Sequence, residues 1–178
     1  MAGFVVVDWR LDLVGRGLAS LDRAALAKCC RVAEHLDLSR NELHSLDCLA
    51  GFDRMQTLIC DHNSLCTLTS LPLLKQLDTL SLNFNHLSDL ESLEHVARCC
   101  PALTHLSLMG NPCCPLLNPA GSEATYAIYR EEVAYYLPSL LLLDGSLLEK
   151  HVHGRISADA KHRVSSLEEC EIGEWPKA

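Results

Sequence analysis

The side chains best suited to chemistry in this chain are its thiols and imidazoles. Ten cysteines and nine histidines stand among 178 residues. Thiols in such number are typical of disulfide frameworks, zinc sites and nucleophilic catalysis. The spacing favours none of these, because six of the cysteines occur as adjacent pairs, which seldom bridge each other, and no C-x-x-C pair is present. We therefore expect reduced, mostly buried thiols that pack as small hydrophobic side chains.

The histidines and carboxylates give no catalytic pattern either. His151 and His153 form an H-x-H sequence in a polar segment, which is more often a solvated stretch than a metal site. No glycine-rich phosphate loop, G-x-S-x-G or H-E-x-x-H sequence occurs, and the carboxylates are scattered. We therefore expect no catalytic residue, no metal and no cofactor, and a role based on binding.

Charge and the first residues limit the classes of partner. The formal net charge is −8 and the isoelectric point is near 5.5, which opposes binding to phosphate backbones by counterion release. The apolar run 4–7 has no basic region before it, and Asp8 follows directly, so it resembles neither a signal peptide nor a spanning helix. The sequence predicts no nucleic-acid partner, no direct membrane insertion, and a cytoplasmic protein of one domain with a tail.

Leucine spacing defines the elements that position these side chains. Residues 77–90 read LDTLSLNFNHLSDL, a spacing that fits neither a helix nor an alternating strand. The pattern L-x-x-L-x-L-x-x-N-x-L, aligned on Asn85, recurs around Asn63 and Asn41 at intervals of 22 residues, and around Asn111 after an insertion of four. Such periodicity predicts a solenoid. The L-x-L leucines point into a shared core, and the asparagine turns the chain and bonds its backbone.

The carboxyl-terminal side of this pattern resembles a known cap. The stretch from Tyr129 to Gly145, YREEVAYYLPSLLLLDG, is similar to the motif Y-R-x-x-V-x-x-x-L-P-x-L-x-x-L-D of the 22-residue leucine-rich repeat family. That motif occurs in a spliceosomal leucine-rich protein and in a leucine-rich phosphatase regulator. Repeats and cap together indicate an α/β solenoid, a right-handed curved superhelix with about six parallel strands and a C-terminal cap.

The expected domain organisation follows from this alignment. A leucine-rich repeat domain covers 1–150 and a polar tail covers 151–178. Within the domain, the repeats are expected near 8–31, 32–54, 55–76, 77–102 and 103–128, and the cap at 129–150. Helical apolar spacing in the arcs before the second and fifth strands predicts helical turns there.

Over its whole length the chain also resembles leucine-rich repeat proteins of melanocyte differentiation. This resemblance implies a non-enzymatic role in pigment-cell differentiation and melanosome biogenesis, with membrane trafficking as the setting. We expect a Rab-type small GTPase on the concave face and a trafficking complex on the tail. A partner would then recruit the cytoplasmic protein to melanosome or endosome membranes. Two alternatives remain: a regulatory subunit of a phosphatase or other enzyme, and a scaffold within a larger particle.

The expected binding surface is the concave face, formed by the side chains that flank the inward leucines. Ile59, Phe84 and Met109 come from three successive strands and are predicted to form an apolar patch with charged neighbours, a composition typical of protein interfaces. A second interpretation is that Phe84 packs over its neighbours. The predicted partner-binding residues are Asp37, Arg40, Ile59, Asp61, His62, Phe84 and Met109.

A second binding segment is predicted in the tail. Leu167, Ile172 and Trp175 are apolar residues that stand among glutamates. A charged tail with a few apolar side chains is typical of a short linear motif that orders on a partner.

Overall fold

The repeats form one strand each in a single sheet. The computed structural model describes residues 5–119 and 121–148. The strands are β1 (Arg10–Asp12), β2 (His35–Asp37), β3 (Thr57–Ile59), β4 (Thr79–Ser81), β5 (His105–Ser107), β6 (Leu142–Leu143) and β7 (Ser146–Leu147). Each strand pairs with the next in chain order; the pairs from β1 to β6 are parallel and β7 is antiparallel to β6. The predicted leucine-rich repeat solenoid is confirmed, and β7 is an addition that the repeat pattern does not predict.

The core is a stack of leucine layers. Strand register aligns one leucine from each parallel strand, and each is 3% exposed or less: Leu11, Leu36, Leu58, Leu80, Leu106 and Leu143. Leu82 and its equivalents in neighbouring repeats form a second buried row, and Leu87 and Leu90 close the core from the return arc. Because a single repeat cannot bury its apolar face alone, each layer depends on the layers beside it.

Short helices lie in the longer connections. Helix α1 (Arg23–Leu26) and helix α2 (Leu93–Cys99) occupy the two arcs for which helical spacing was predicted, and a 3-10 turn covers Asp47–Leu49. Within 5–119 and 121–148, no helix has the length and apolar character of a bilayer-spanning segment.

Helix α3 (Glu123–Tyr136) closes the carboxyl-terminal end of the core. It begins well before Tyr129, because Ser122 and Thr125 form a capping box: the Ser122 hydroxyl accepts the Thr125 N–H at 3.2 Å, and the Thr125 hydroxyl accepts the Ser122 N–H at 2.8 Å. Tyr129 and Val133 are buried, and Tyr136 packs against the core from a partly buried position. These three side chains cover the last repeat, as the predicted C-terminal cap requires.

An asparagine ladder joins successive repeats. The Asn85 Oδ1 accepts the Leu65 N–H at 3.0 Å, and its Nδ2 donates to the carbonyls of Cys60 at 2.9 Å and Leu82 at 3.0 Å. Equivalent bonds to the preceding repeat are made by Asn41, Asn63 and Asn111. The amides are buried, so the predicted structural role of these asparagines is confirmed.

A carboxylate joins the cap to the last repeat, from a strand position that aligns with Ser107 rather than with the ladder asparagines. The Asp144 Oδ1 accepts the Leu108 N–H at 2.7 Å, and its Oδ2 accepts the Tyr129 hydroxyl at 2.9 Å. The Cys114 thiol also donates to Oδ2, at 3.7 Å. Burial raises the pKa of the Asp144 carboxyl, although these three hydrogen bonds oppose the shift.

Asn85→Ala should lower the free energy of unfolding by about 3 kcal/mol, because it leaves the Leu65 N–H buried without an acceptor and removes the three hydrogen bonds that Nδ2 donates. Asn83→Ala is the matched control, since Asn83 is only half-buried and water can replace its partners. We expect a loss of about 1 kcal/mol there. Urea denaturation measures both values, and equal losses would contradict the structural role of the ladder.

Asp144 should make the free energy of unfolding fall as pH rises. Its pKa is raised in the folded state, so its contribution is largest below the unfolded-state value of about 4 and falls as pH rises through the folded-state value. Relative to Asp144→Asn, which carries no titrating group at this position, the native chain should lose unfolding free energy as pH rises above about 4. Denaturant melts across this range test the sign, and a constant difference between the two proteins would refute it.

Candidate protein-binding face

The central row of the concave face has one apolar side chain among polar neighbours. Strand register places Asp12, Asp37, Ile59, Ser81 and Ser107 side by side in this row. Ile59 is partly buried and stands between a carboxylate and a hydroxyl. The Asp37 Oδ1 accepts the Ser39 N–H at 2.9 Å, which fixes this carboxylate against its own strand end.

A hydrogen-bonded polar strip crosses the middle of the face. The Asp61 Oδ1 accepts the Ser81 hydroxyl at 2.7 Å and the Asn83 N–H at 2.8 Å. The Asn83 side chain donates to the Asp61 Oδ2 at 3.2 Å and accepts the Ser107 hydroxyl at 2.7 Å. Asp61 is therefore bonded to its neighbouring strand, and by register this strip lies between Ile59 and Phe84.

Beside the strip runs a column that we call the ridge, formed by Arg40, His62 and Phe84. Each residue directly precedes a ladder asparagine and has a positive φ, at 58°, 54° and 54° respectively. Each N–H donates at 2.8 Å to a carbonyl of the next strand. Gly15 and Gly110 hold the same repeat position, with φ of 64° and 73°. A left-handed backbone costs a non-glycine residue about 1 kcal/mol. Because the conformation recurs at this position in five successive repeats in spite of that cost, we infer that the turn requires it.

The aromatic ring of Phe84 is held on both sides. His62 stacks on one face, with ring centroids 4.4 Å apart and an interplanar angle of 9°. On the other side, a Cβ added at Gly110 would lie 2.5 Å from the Phe84 Cδ1. The ring nevertheless remains 45% exposed. Phe84 therefore packs over its neighbours and still presents a fixed apolar surface to solvent.

The structure brings together only some of the predicted residues. His62 and Phe84 stack, and Phe84 bonds through its backbone to Met109, which is partly buried. Arg40 is exposed at the amino-terminal end of the ridge. The tail residues of the predicted motif, namely Leu167, Ile172 and Trp175, lie outside the described residues.

The stack and the left-handed column were not predicted from the sequence. Glycine favours positive φ, and Gly15 and Gly110 align with the ridge position. This alignment was a readable signal that Arg40, His62 and Phe84 would share an unusual backbone.

The thiols show no sign of nucleophilic or metal-binding use. The nine cysteines in the described part of the chain are thiols, and five of them are buried. Burial raises the pKa of Cys60 well above its ordinary value, and raises that of Cys48 to about 11, so these groups stay neutral. Among residues 5–119 and 121–148, no group of His, Cys, Asp or Glu side chains could hold a metal ion.

Comparisons with known proteins support the repeat fold. The chain is 43% identical over 117 residues to the human leucine-rich melanocyte differentiation-associated protein, covering 62% of this chain and 59% of that protein. It is 32% identical over 127 residues to U2 small nuclear ribonucleoprotein A' of Candida glabrata, covering 71% and 44% respectively. No protein-family model matches it. The resemblance to leucine-rich repeat proteins of melanocyte differentiation is thus confirmed, and the chain spans less than two thirds of these relatives.

A solved structure shows the same architecture. A chain of the crystal structure of the Drosophila melanogaster SNF/U2A' complex matches with a TM-score of 0.62 and 26% identity. The match covers 89% of this chain and 79% of that one.

Phe84→Ala should lower the unfolding free energy by only about 1 kcal/mol, because the ring is half exposed and loses mainly its stack with His62. Phe84→Gly removes the same ring but relieves the left-handed backbone, so it should be about 1 kcal/mol more stable than Phe84→Ala. Urea denaturation distinguishes the two. A loss of several kcal/mol in both variants would show that the ring is a core residue.

Proposed function

We propose that this chain is a non-enzymatic adaptor that binds another protein on the concave side of its repeat sheet. The observation that carries the proposal is the Phe84 ring, which is fixed between His62 and Gly110 yet 45% exposed. An aromatic side chain already held in one position loses little conformational entropy on binding, and such side chains are frequent energetic centres of interfaces.

The comparisons support the binding role and suggest its setting. The reported relatives are named as leucine-rich or ribonucleoprotein components, and none is named as an enzyme. The similarity to the human melanocyte protein supports a role in melanocyte differentiation. We propose melanosome biogenesis and membrane trafficking as the setting of that role. We propose a Rab-type small GTPase on the concave face and a trafficking complex on 151–178. These partners would recruit the protein from the cytoplasm to melanosome or endosome membranes.

A second candidate is a scaffold within a protein–RNA particle. It is favoured by the similarity to U2 small nuclear ribonucleoprotein A' and to a chain of the SNF/U2A' complex. With a net charge of −8 the contact would be made to a protein of the particle, since the phosphate backbone would be repelled.

Affinity purification of the full chain from pigment cells tests both candidates. Phe84→Ala and Ile59→Ala should each remove the same partner, and the purified partner should bind Phe84→Ala about 30-fold more weakly, as expected for the loss of about 2 kcal/mol at an interface centre. Leu73→Ala is the control, because Leu73 is an exposed leucine outside the strands.

The identity of the lost protein separates the candidates. A GTPase whose recovery rises with a GTP analogue supports the trafficking role, ribonucleoprotein components support the scaffold, and a phosphatase supports the regulatory alternative. Unchanged recovery in both Phe84→Ala and Ile59→Ala would refute binding through the concave face.

A further inference from the structure

A groove opens beside Phe84, on the side of the ring away from the His62 stack. One wall is Phe84 and His86, and the other is the segment that follows β5, chiefly Pro112, Leu116 and Leu117. Its volume is about 440 Å³, which lies within the range of about 300–1,000 Å³ seen for ligand sites. Leu117 is 68% exposed and Phe84 is 45% exposed. Two large apolar side chains therefore face solvent on opposite walls of one groove.

Backbone hydrogen bonds hold the second wall in place. The Cys113 N–H donates to the Leu87 carbonyl at 2.9 Å, which ties the segment to the preceding repeat. Two successive turns follow, in which the Asn118 N–H donates to the Pro115 carbonyl at 3.2 Å and the Gly121 N–H donates to the Asn118 carbonyl at 2.8 Å. The groove is thus formed before any ligand arrives, and binding into it requires little ordering of the chain.

The groove differs from the rest of the surface in charge. None of the eleven described residues that line it is Asp or Glu, although the whole chain has a net charge of −8. His86 stands in the wall. Phe84 also belongs to the ridge, whose next members, His62 and then Arg40, follow on the side of the ring away from the groove. The carboxylates of the concave row, by contrast, would repel an acidic ligand. Negative charge on a partner is therefore favoured at this groove and disfavoured beside it.

We propose that the groove binds an extended acidic segment of a partner protein, with one large apolar or aromatic side chain seated between Phe84 and Leu117. The carboxylates of the segment lie toward His86 and the ridge. This site shares Phe84 with the concave face and extends from it on the side away from Ile59, and the inference rests on the proposed protein-binding function. It adds a second contact surface and specifies its ligand as a short acidic peptide.

Gly110 offers a matched pair of variants. A methyl group at Gly110 would meet the Phe84 ring and therefore displace it from its place in the groove wall, without removing any apolar atom from the walls. Gly15 holds the same repeat position with φ of +64°, and a Cβ there meets no atom within 4 Å. Gly15→Ala therefore carries comparable backbone strain without a clash, and it isolates the displacement of the ring from the cost of the backbone.

The test uses random peptides of about twelve residues, displayed on phage and selected on the immobilised full chain. Enriched peptides should combine a Trp, Phe or Leu with two or more carboxylates. Fluorescence anisotropy with the consensus peptide should show binding about tenfold weaker for Leu117→Ser and for Gly110→Ala, and unchanged for Gly15→Ala and Leu73→Ala. Replacing the glutamates of the peptide by lysines should weaken binding to a similar extent.

Several results would overturn the assignment: no enrichment, enrichment of basic or uncharged peptides, or equal weakening by Gly15→Ala and Gly110→Ala. A result that refutes the peptide groove can be distinguished from one that refutes the adaptor function. If Ile59→Ala still removes a cellular partner while no acidic peptide binds, the concave face functions and the groove does not.

Discussion

The asparagine amide at the end of each strand is the interaction on which the rest of the structure depends. A three-residue strand makes few ladder bonds of its own, and the turn that follows leaves buried backbone groups without partners. Asn85 supplies both an acceptor for Leu65 in the preceding repeat and donors for two strand-end carbonyls. Each amide therefore closes its own turn and fastens it to the previous one, so that stability passes between neighbouring repeats rather than residing in any single one.

The same turn determines which side chains are exposed beside the concave face. The residue before each asparagine must adopt a left-handed backbone, and the first and fifth repeats use Gly15 and Gly110 there. The middle repeats keep side chains at this position in spite of a cost of about 1 kcal/mol each. Two of those side chains, His62 and Phe84, stack on each other. The backbone conformation that the turn requires therefore also places these side chains in an ordered row along the edge of the concave face.

The sequence predicts the repetitive part of the structure and misses the parts that depend on contacts between non-equivalent positions. Leucine and asparagine spacing was sufficient to place the parallel strands, the core rows and the ladder, because each depends on one repeat position seen several times. The bonding of Asp61 by Ser81 and Asn83 arises between different positions of adjacent repeats. The groove depends on Leu117, in a segment without a copy elsewhere. Periodicity carries no information about either.

At the end of the solenoid a carboxylate, rather than an amide, joins the cap to the last repeat. An amide suits the interior, where each position offers an N–H to accept and carbonyls to donate to. At the cap, the three groups directed at Asp144 are all donors, namely the Leu108 N–H, the Tyr129 hydroxyl and the Cys114 thiol. A carboxylate accepts all three, whereas an amide would direct its own N–H groups at one of them. Cys114 also lines the groove beside Phe84. One residue therefore belongs both to the hydrogen-bond network around Asp144 and to the proposed peptide site.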